Sequence, residues 1–338
     1  MSRHWRNVMF DLVRRAMPVI AATLCIVPAH VAHAAMAPSY PAKTVHLVVG
    51  FAAGGATDIA ARMLAQKLSE PLGQQVIVEN RLGAGGTIAD ERVAKSPADG
   101  YTLLMIAGAS STVQVALQRG KLSYDLQRDF APVSLVAIGG WVLSIHPAVP
   151  ARNVKELIAI ARAQPGKLNY GSSGVGAATH LAAELFNSLA KVNTVHVPYK
   201  GAAEAGVAVA SGQIEMTFAS PAAVQSFVKS GKLRPLAVTT TQRTVLMPSL
   251  PTLSEAGVPG YDYFSWYGVL TPAGVPKTII TQLHDAIVAA SNTSEMKAVL
   301  TAQGLEPQTN TPEQFATLIR TEIEKNAKLV GISGLKAE

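Results

Sequence analysis

The sequence predicts an α/β protein of two lobes, and three observations carry that expectation. Its 338 residues exceed one typical domain and suit two. Short β-branched runs alternate with amphipathic helical patterns, which is how α/β units with parallel strands read in sequence. One loop-and-helix motif also occurs twice, as Gly54-Gly55-Ala56-Thr57-Asp58-Ile59-Ala60-Ala61 and Gly176-Ala177-Ala178-Thr179-His180-Leu181-Ala182-Ala183. The copies are too far apart for a solenoid period, so they imply one such device per lobe. The alternative is chance recurrence of small residues in a chain rich in Ala and Gly.

In chain order, residues 45–49, 103–106, 142–145, 194–197, 215–218 and 236–239 are predicted strands. Helices are predicted over residues 57–68, where Ile59, Met63, Leu64 and Leu68 form a stripe, and over 154–161, 179–189 and 276–289. A last helix over 312–330 carries Phe315, Leu318, Ile319, Ile323 and Val330 at helical spacing. Sheets of this kind bind ligands beyond the carboxyl ends of their strands.

Composition excludes several classes. With 49% hydrophobic and 15% charged residues, the chain has the material for a sizeable core and is not a disordered polymer. Of the +7 formal charge, +3 comes from Arg3, Arg6, Arg14 and Arg15 set against Asp11. The remaining cations are dispersed, without the basic stripe of a nucleic-acid partner.

Arg14 and Arg15 precede an apolar stretch over 17–27, and the small residues Ala32 and Ala34 follow. This predicts a signal peptide over 1–34, cleaved after Ala34, and hence export. The stretch is too short to span a bilayer comfortably; an uncleaved interfacial anchor is the alternative. The single cysteine, Cys25, lies in this segment and lacks the preceding residues of a lipidation site. The mature chain then has no disulfide and no thiolate metal site. The remaining histidines, His46, His146, His180, His196 and His284, show no metal-ligand spacing, so no metal or cofactor is expected.

The two glycine-rich loops, 50–58 and 171–180, each lead into a helix start. Glycine permits positive φ and close approach of backbone to a ligand. The first helical turn leaves N–H groups unpaired at its positive end. Together they make an anion site, here one per lobe, that needs no arginine. Thr57 and Thr179 serve there as caps or hydroxyl donors. Asp58 either caps its helix or orients loop donors and water. Tyr199 either presents its hydroxyl at a strand end or packs as a loop aromatic, and Phe51 is placed to pack over a ligand.

Competing motifs fail on their residue patterns. There is no G-x-x-x-x-G-K-[ST], and neither Gly83-Ala84-Gly85-Gly86 nor the 171–176 run has the G-x-G-x-x-G order. Ser173 misses the G-x-S-x-G elbow because Val175 stands where glycine is required. A secreted hydrolase using Ser172 or Ser173 with His180 is therefore a minor alternative, and no catalytic residue is expected.

Several ordered blocks carry a family resemblance: Phe51-Ala52-Ala53-Gly54-Gly55-Ala56-Thr57-Asp58 with Arg62, Glu79-Asn80-Arg81-Leu82-Gly83-Ala84-Gly85-Gly86, Asp99-Gly100-Tyr101-Thr102, and Pro165 to Gly174. His196-Val197-Pro198-Tyr199-Lys200-Gly201, Pro251 to Gly257, and Trp266 ahead of Pro272-Ala273-Gly274 complete the set. From Tyr40 nearly to the C-terminus the chain resembles the Bug receptors, the substrate-binding proteins of tripartite tricarboxylate transporters. Two positions depart from that pattern: Gly50 replaces a usual proline, and Asn326 stands near a common tryptophan.

The resemblance implies a periplasmic-binding-protein fold of type II-like form, each lobe a mostly parallel sheet flanked by helices, with the cleft between. Residues 35–139 plus 264–338 would form one lobe and 140–263 the other, hinged near Gly140 and Ser265. It further implies a non-enzymatic, monomeric receptor in the periplasm of a Gram-negative cell. Its ligand would be a small carboxylate (a di- or tricarboxylate, an acidic amino acid or an aromatic acid), delivered to a membrane complex of one large and one small subunit. The ligand contacts expected from loops and resemblance are Phe51, Ala53, Gly54, Gly55, Thr57, Asp58, Ser172, Ser173, Gly176, Thr179, His180, Tyr199 and Ser220. A ligand-sensing partner of a membrane signalling protein is the other role open to such a receptor.

Overall fold

The computed structural model describes residues 40–333 and 335. The expected signal peptide and Cys25 lie outside the described residues. Strands gather into two sheets. The first has the order β11-β4-β10-β3-β1-β2, from β1 (Val45–Val49), β2 (Val76–Asn80), β3 (Thr102–Ala107), β4 (Phe130–Gly139), β10 (Ser265–Pro272) and β11 (Glu306–Pro307). The second has the order β7-β6-β8-β5-β9, from β5 (Val142–Ile145), β6 (Asn169–Ser172), β7 (Val195–Pro198), β8 (Met216–Ala219) and β9 (Arg234–Val238).

Both sheets are mixed in pairing where mostly parallel ones were expected. β1 pairs parallel with β2 and β3, and β6 pairs parallel with β7 and β8. β10 lies antiparallel to β3 and β4, and β5 antiparallel to β8 and β9. The reversed strands β5 and β10 are those by which the chain enters each sheet from the other, and the short β11 also lies antiparallel to β4. β4 leads to β5 through Gly140 and Trp141 alone, with no crossover helix to carry the chain back to the starting end. In direction, β1 to β4 agree in one sheet and β6 to β9 in the other, so the carboxyl ends of these strands still gather on one side of each.

Side chains alternate along the strands and bury both faces of each sheet. Val45, Leu47 and Val49 of β1 pack with Leu64 and Leu68 of the helix Ala56–Leu72 and with Leu283 and Ile287 of the helix Lys277–Ser291. Val48 points the other way, into a core with Ile106, Trp266, Phe315 and Ile319. In the second sheet Leu143 and Ile145 face Tyr170, Phe186 and Phe218, while Val142 faces Val209, Ile214 and Val224. Ala109 and Val113 of the helix Gly108–Leu117, and Leu329 and Val330 of the last helix, Pro312–Ser333, extend that second core. Buried polar groups fasten the same junction. Asn326 donates to the Thr112 hydroxyl at 2.8 Å and accepts from Tyr263 at 3.1 Å.

Glycine is required at two packing points. A Cβ on Gly108 would fall 2.0 Å from the Trp266 ring. One on Gly50 would fall 2.8 Å from the Gly86 Cα, so the departure at Gly50 lets the 83–86 loop lie directly on the first glycine-rich loop. The predicted strands all appear, shifted by at most two residues at an end. The pattern reading passed over β2, β4, β6, β10 and β11. β6 is Asn-Tyr-Gly-Ser, poor in strand formers, and pairing on both sides imposes its conformation.

Candidate functional site

The first glycine-rich loop follows β1 and ends in Gly55, the N-cap of the helix Ala56–Leu72, with no side chain capping it. Gly54 takes φ 82°, the left-handed region that favours glycine. Its N–H is directed inward and donates to Asp58 Oδ2 at 2.9 Å. Asp58 is buried and also accepts from Arg62 Nε at 2.9 Å and Asn80 Nδ2 at 2.8 Å. Asn80 further donates to the Phe51 carbonyl at 2.9 Å and accepts from Arg62 Nη2. Burial pushes the Asp58 carboxyl up, but hydrogen bonds from Arg62, Asn80 and Gly54 outweigh it and hold the group below its ordinary value. Phe51 packs beside Gly86 and the first core, Thr57 is buried, and Ala53 is exposed.

The second loop follows β6. Ser173 N–H donates to Thr179 Oγ1 at 2.9 Å, and Gly176 N–H donates to His180 Nδ1 at 3.2 Å. Ser172 is fully buried and lies 2.6 Å from His196 Nε2. His180 and His196 stack with ring centroids 3.7 Å apart. Burial, reinforced by the neighbouring His196, lowers the His180 pKa to about 4, and burial lowers that of His196. Tyr170 completes the stack and donates to Glu184 at 2.6 Å. The hydrolase pairing of Ser172 or Ser173 with His180 does not form: Ser172 meets His196 away from solvent, and Ser173 is bonded to Thr179.

Between the sheets lies a cavity of about 580 Å³, within the size range of small-molecule sites. Three helix starts face it: Gly54, Gly55 and Ala56 from the first loop, Ala202 and Ala203 at the head of the helix Ala202–Ala210, and Ser220 and Ala222 at the head of the helix Pro221–Lys229. The crossing residues Gly139, Gly140 and Trp141, with Ser265, Tyr267 and the run from Gln303 to Leu305, close the rest. Among the described residues, no acidic or basic side chain lines it. Two of the three starts carry glycine N-caps without a side-chain cap, Gly55 and Gly201. At the third, Ser220 accepts from Ala223 N–H, as Asn153 does from Glu156 N–H and Thr293 from Met296 N–H at helix starts away from the cavity. The uncapped starts at Gly55 and Gly201 leave first-turn amides where a ligand has room.

Of the expected contacts, Gly54, Gly55 and Ser220 line this cavity, and Phe51, Ala53, Thr57 and Asp58 belong to its first loop. Ser172, Ser173, Gly176, Thr179, His180 and Tyr199 do not line it; their polar contacts are within or beneath the second loop. Tyr199 packs beside Gly171 and its N–H donates to the Ser172 carbonyl. The sequence reading missed Ala202 and Ala203, although Gly201-Ala202-Ala203 repeats the glycine-and-alanine start of the other loops. It also missed Trp141, Tyr267 and Gln303, which lie on no motif. Another cavity, of about 500 Å³, shares Gly139 and Gly140 but contains no expected site residue and includes the Glu306 carboxylate, an unfavourable wall for an anion.

Residues 60–335 match the family model of the tripartite tricarboxylate transporter family receptor, TctC. The chain belongs to that receptor family. Its members are substrate-binding receptors, and the two-lobed α/β fold of this receptor is theirs. BugT of Bordetella pertussis is 35% identical over 312 residues, covering 92% of this receptor and 95% of BugT. An R. palustris protein solved with adipate is 37% identical, with TM-score 0.75, covering 88% of this receptor and 99% of that chain. MatC from Rhodopseudomonas palustris, solved with bound malate, is 31% identical, with TM-score 0.72, covering 86% of this receptor and 100% of that chain. No helix among the described residues is long and apolar enough to cross a membrane.

Proposed function

We propose that this receptor is a periplasmic protein that captures a small carboxylate in the cavity between its sheets, for delivery to a tripartite tricarboxylate-type membrane transporter. The observation that carries the reading is the convergence of two uncapped helix starts, at Gly55 and Gly201, on a cavity that no charged side chain among the described residues lines. A ligand carboxylate supplies the acceptor that those N–H groups lack. Each such charge-assisted bond contributes about 1.5–3 kcal/mol, so a few of them, less ordering costs, reach the roughly −8 kcal/mol of a micromolar binder. The adipate and malate held by two relatives belong to the same chemical class.

In this reading residues 35–139 plus 264–338 move as one lobe and 140–263 as the other. Closure is favoured because only the closed state offers donors from both. The test is a thermal-shift panel of mono-, di- and tricarboxylates and aromatic acids on ligand-stripped protein. At a hundredfold excess over Kd a true ligand adds about 2.7 kcal/mol, roughly 5 °C for a chain of this size. A panel without any shift refutes the carboxylate reading.

A further inference from the structure

The two glycine-rich loops share more than sequence. Gly54 and Gly176 both take left-handed φ, 82° and 71°. The following N-caps, Gly55 and Ala177, adopt nearly the same backbone, with φ −76° and ψ 163° against φ −71° and ψ 157°. In each loop the N–H of the left-handed glycine is taken by the side chain four residues on: Asp58 Oδ2 at 2.9 Å in one, His180 Nδ1 at 3.2 Å in the other. Both acceptors are buried, Asp58 at 1% and His180 at 5% exposure. Each is braced from a neighbouring strand, Asp58 by Asn80 of β2 and His180 by the stacked ring of His196 of β7.

We propose that His180 and Asp58 are equivalent positioning residues. Each fixes its loop by accepting the glycine N–H, so that in the closed receptor the amides just beyond it would face a bound carboxylate, and neither is itself a ligand contact. This rests on the carboxylate-receptor reading above. It assigns His180 the neutral tautomer with the proton on Nε2, because Nδ1 must accept. The groups around His180 fit that assignment: Glu184 on its own helix lies 4.0 Å from Nε2, and His196 and Tyr170 from the adjoining strands present ring faces. Protonation turns Nδ1 into a donor facing another donor, so acid unlocks the second loop. The Asp58 lock, a carboxylate tied to Arg62 and Asn80, stays closed over the same range.

The test compares the wild type with His180→Ala, His180→Gln and His180→Asn. Asn places its Oδ1 near the position of the imidazole Nδ1, whereas Gln carries its acceptor one bond further out. Titration calorimetry with adipate and malate reads affinity, and amide hydrogen exchange at residues 173–177 in the ligand-free protein reads the lock itself. Ala and Gln are expected to weaken binding by about tenfold, the loss of one hydrogen bond's worth of positioning, and to speed exchange. Asn is expected to recover most of both and to abolish the fall in affinity on acidification. If His180→Ala exchanges and binds like the wild type, or if His180→Asn is as impaired as His180→Ala, the proposal is overturned. If wild-type protein binds no carboxylate, the receptor reading fails, while the exchange comparison still decides whether His180 holds the loop.

Discussion

Gly201 offers a sharp test of the helix-start site, because a side chain there changes the chemistry without changing the fold. Its backbone is extended, φ −174° and ψ 162°, which any residue adopts, and a Cβ would meet nothing within 4 Å. Gly201→Asp places a carboxylate at the N-cap of the helix Ala202–Ala210, where it accepts the first-turn amides that the ligand would use. For the fold this is mildly favourable, a few tenths of a kcal/mol from capping and about 0.3–1 kcal/mol from the helix dipole. For the ligand it removes one or two charge-assisted donors, about 1.5–3 kcal/mol each, and adds like-charge repulsion. The expected outcome is a Kd raised at least about tenfold with a melting temperature equal to or above that of the wild type. Gly201→Ser, which caps without charge, falls between. Asn153→Asp, at a helix start outside the cavity, leaves Kd unchanged. Calorimetry with the carboxylate that shifts melting most, alongside urea unfolding, supplies both readouts. Unchanged affinity in Gly201→Asp, or loss only in step with unfolding, would refute the role of that helix start.

Two further predictions concern stability. Asp90 is buried with hydrogen bonds from Ser111 and Tyr124, and burial outweighs them, pushing its carboxyl up to about 7. The native state therefore keeps a proton that the unfolded chain sheds near 3.8. Stability is complete below that value and is lost as pH rises through about 7, up to roughly 4 kcal/mol for a shift of this size. Asp90→Asn should be more stable than the wild type at pH 8 and lose that advantage near pH 4, measured by urea unfolding at both. Gly108→Ala sets helix propensity, which favours Ala by about 1 kcal/mol, against a Cβ 2.0 Å from the Trp266 ring. Overpacking should win and destabilise by about 1–3 kcal/mol, with an altered tryptophan emission; a more stable variant would contradict the packing.

How much of this was legible in the sequence depended on whether side chains or backbone carry the information. The strands at Val45–Val49 and Val142–Ile145 were readable because β-branched runs need no context to be recognised. β6 was not, since Asn-Tyr-Gly-Ser becomes a strand only between β7 and β8. The motif repeat led to two loops of matching backbone, and it left Asp58 open between capping its helix and orienting loop donors. Asp58 turned out to be bonded to Gly54, Arg62 and Asn80, and Thr179 to Ser173, partners that sequence alone does not supply. Ala202 and Ala203 were overlooked for a related reason. An alanine at a helix start has no side-chain chemistry to notice, and its contribution is the amide that only the fold aims at the cavity.

That origin of the donors also bears on selectivity. In the proposed site, main-chain amides at Ala56, Ala202 and Ala203 would donate to any carboxylate that reaches them, setting affinity for the class and discriminating little within it. Discrimination falls to the side chains around the rest of the cavity, Trp141, Tyr267, Ser265 and Gln303, none of which is charged. Without a lysine or arginine opposite, a second carboxylate on the ligand must be satisfied by hydroxyls, an amide and ordered water. Such partners leave length and shape, rather than charge count, to decide which acid the closed cavity retains. Trp141 lies between β4 and β5 where the chain passes from one sheet to the other, with its ring stacked on Tyr263 at 5.5 Å. If the two lobes close as proposed, a ligand that presses on Trp141 would act on the crossing segment between them, coupling the fit of the ligand to closure.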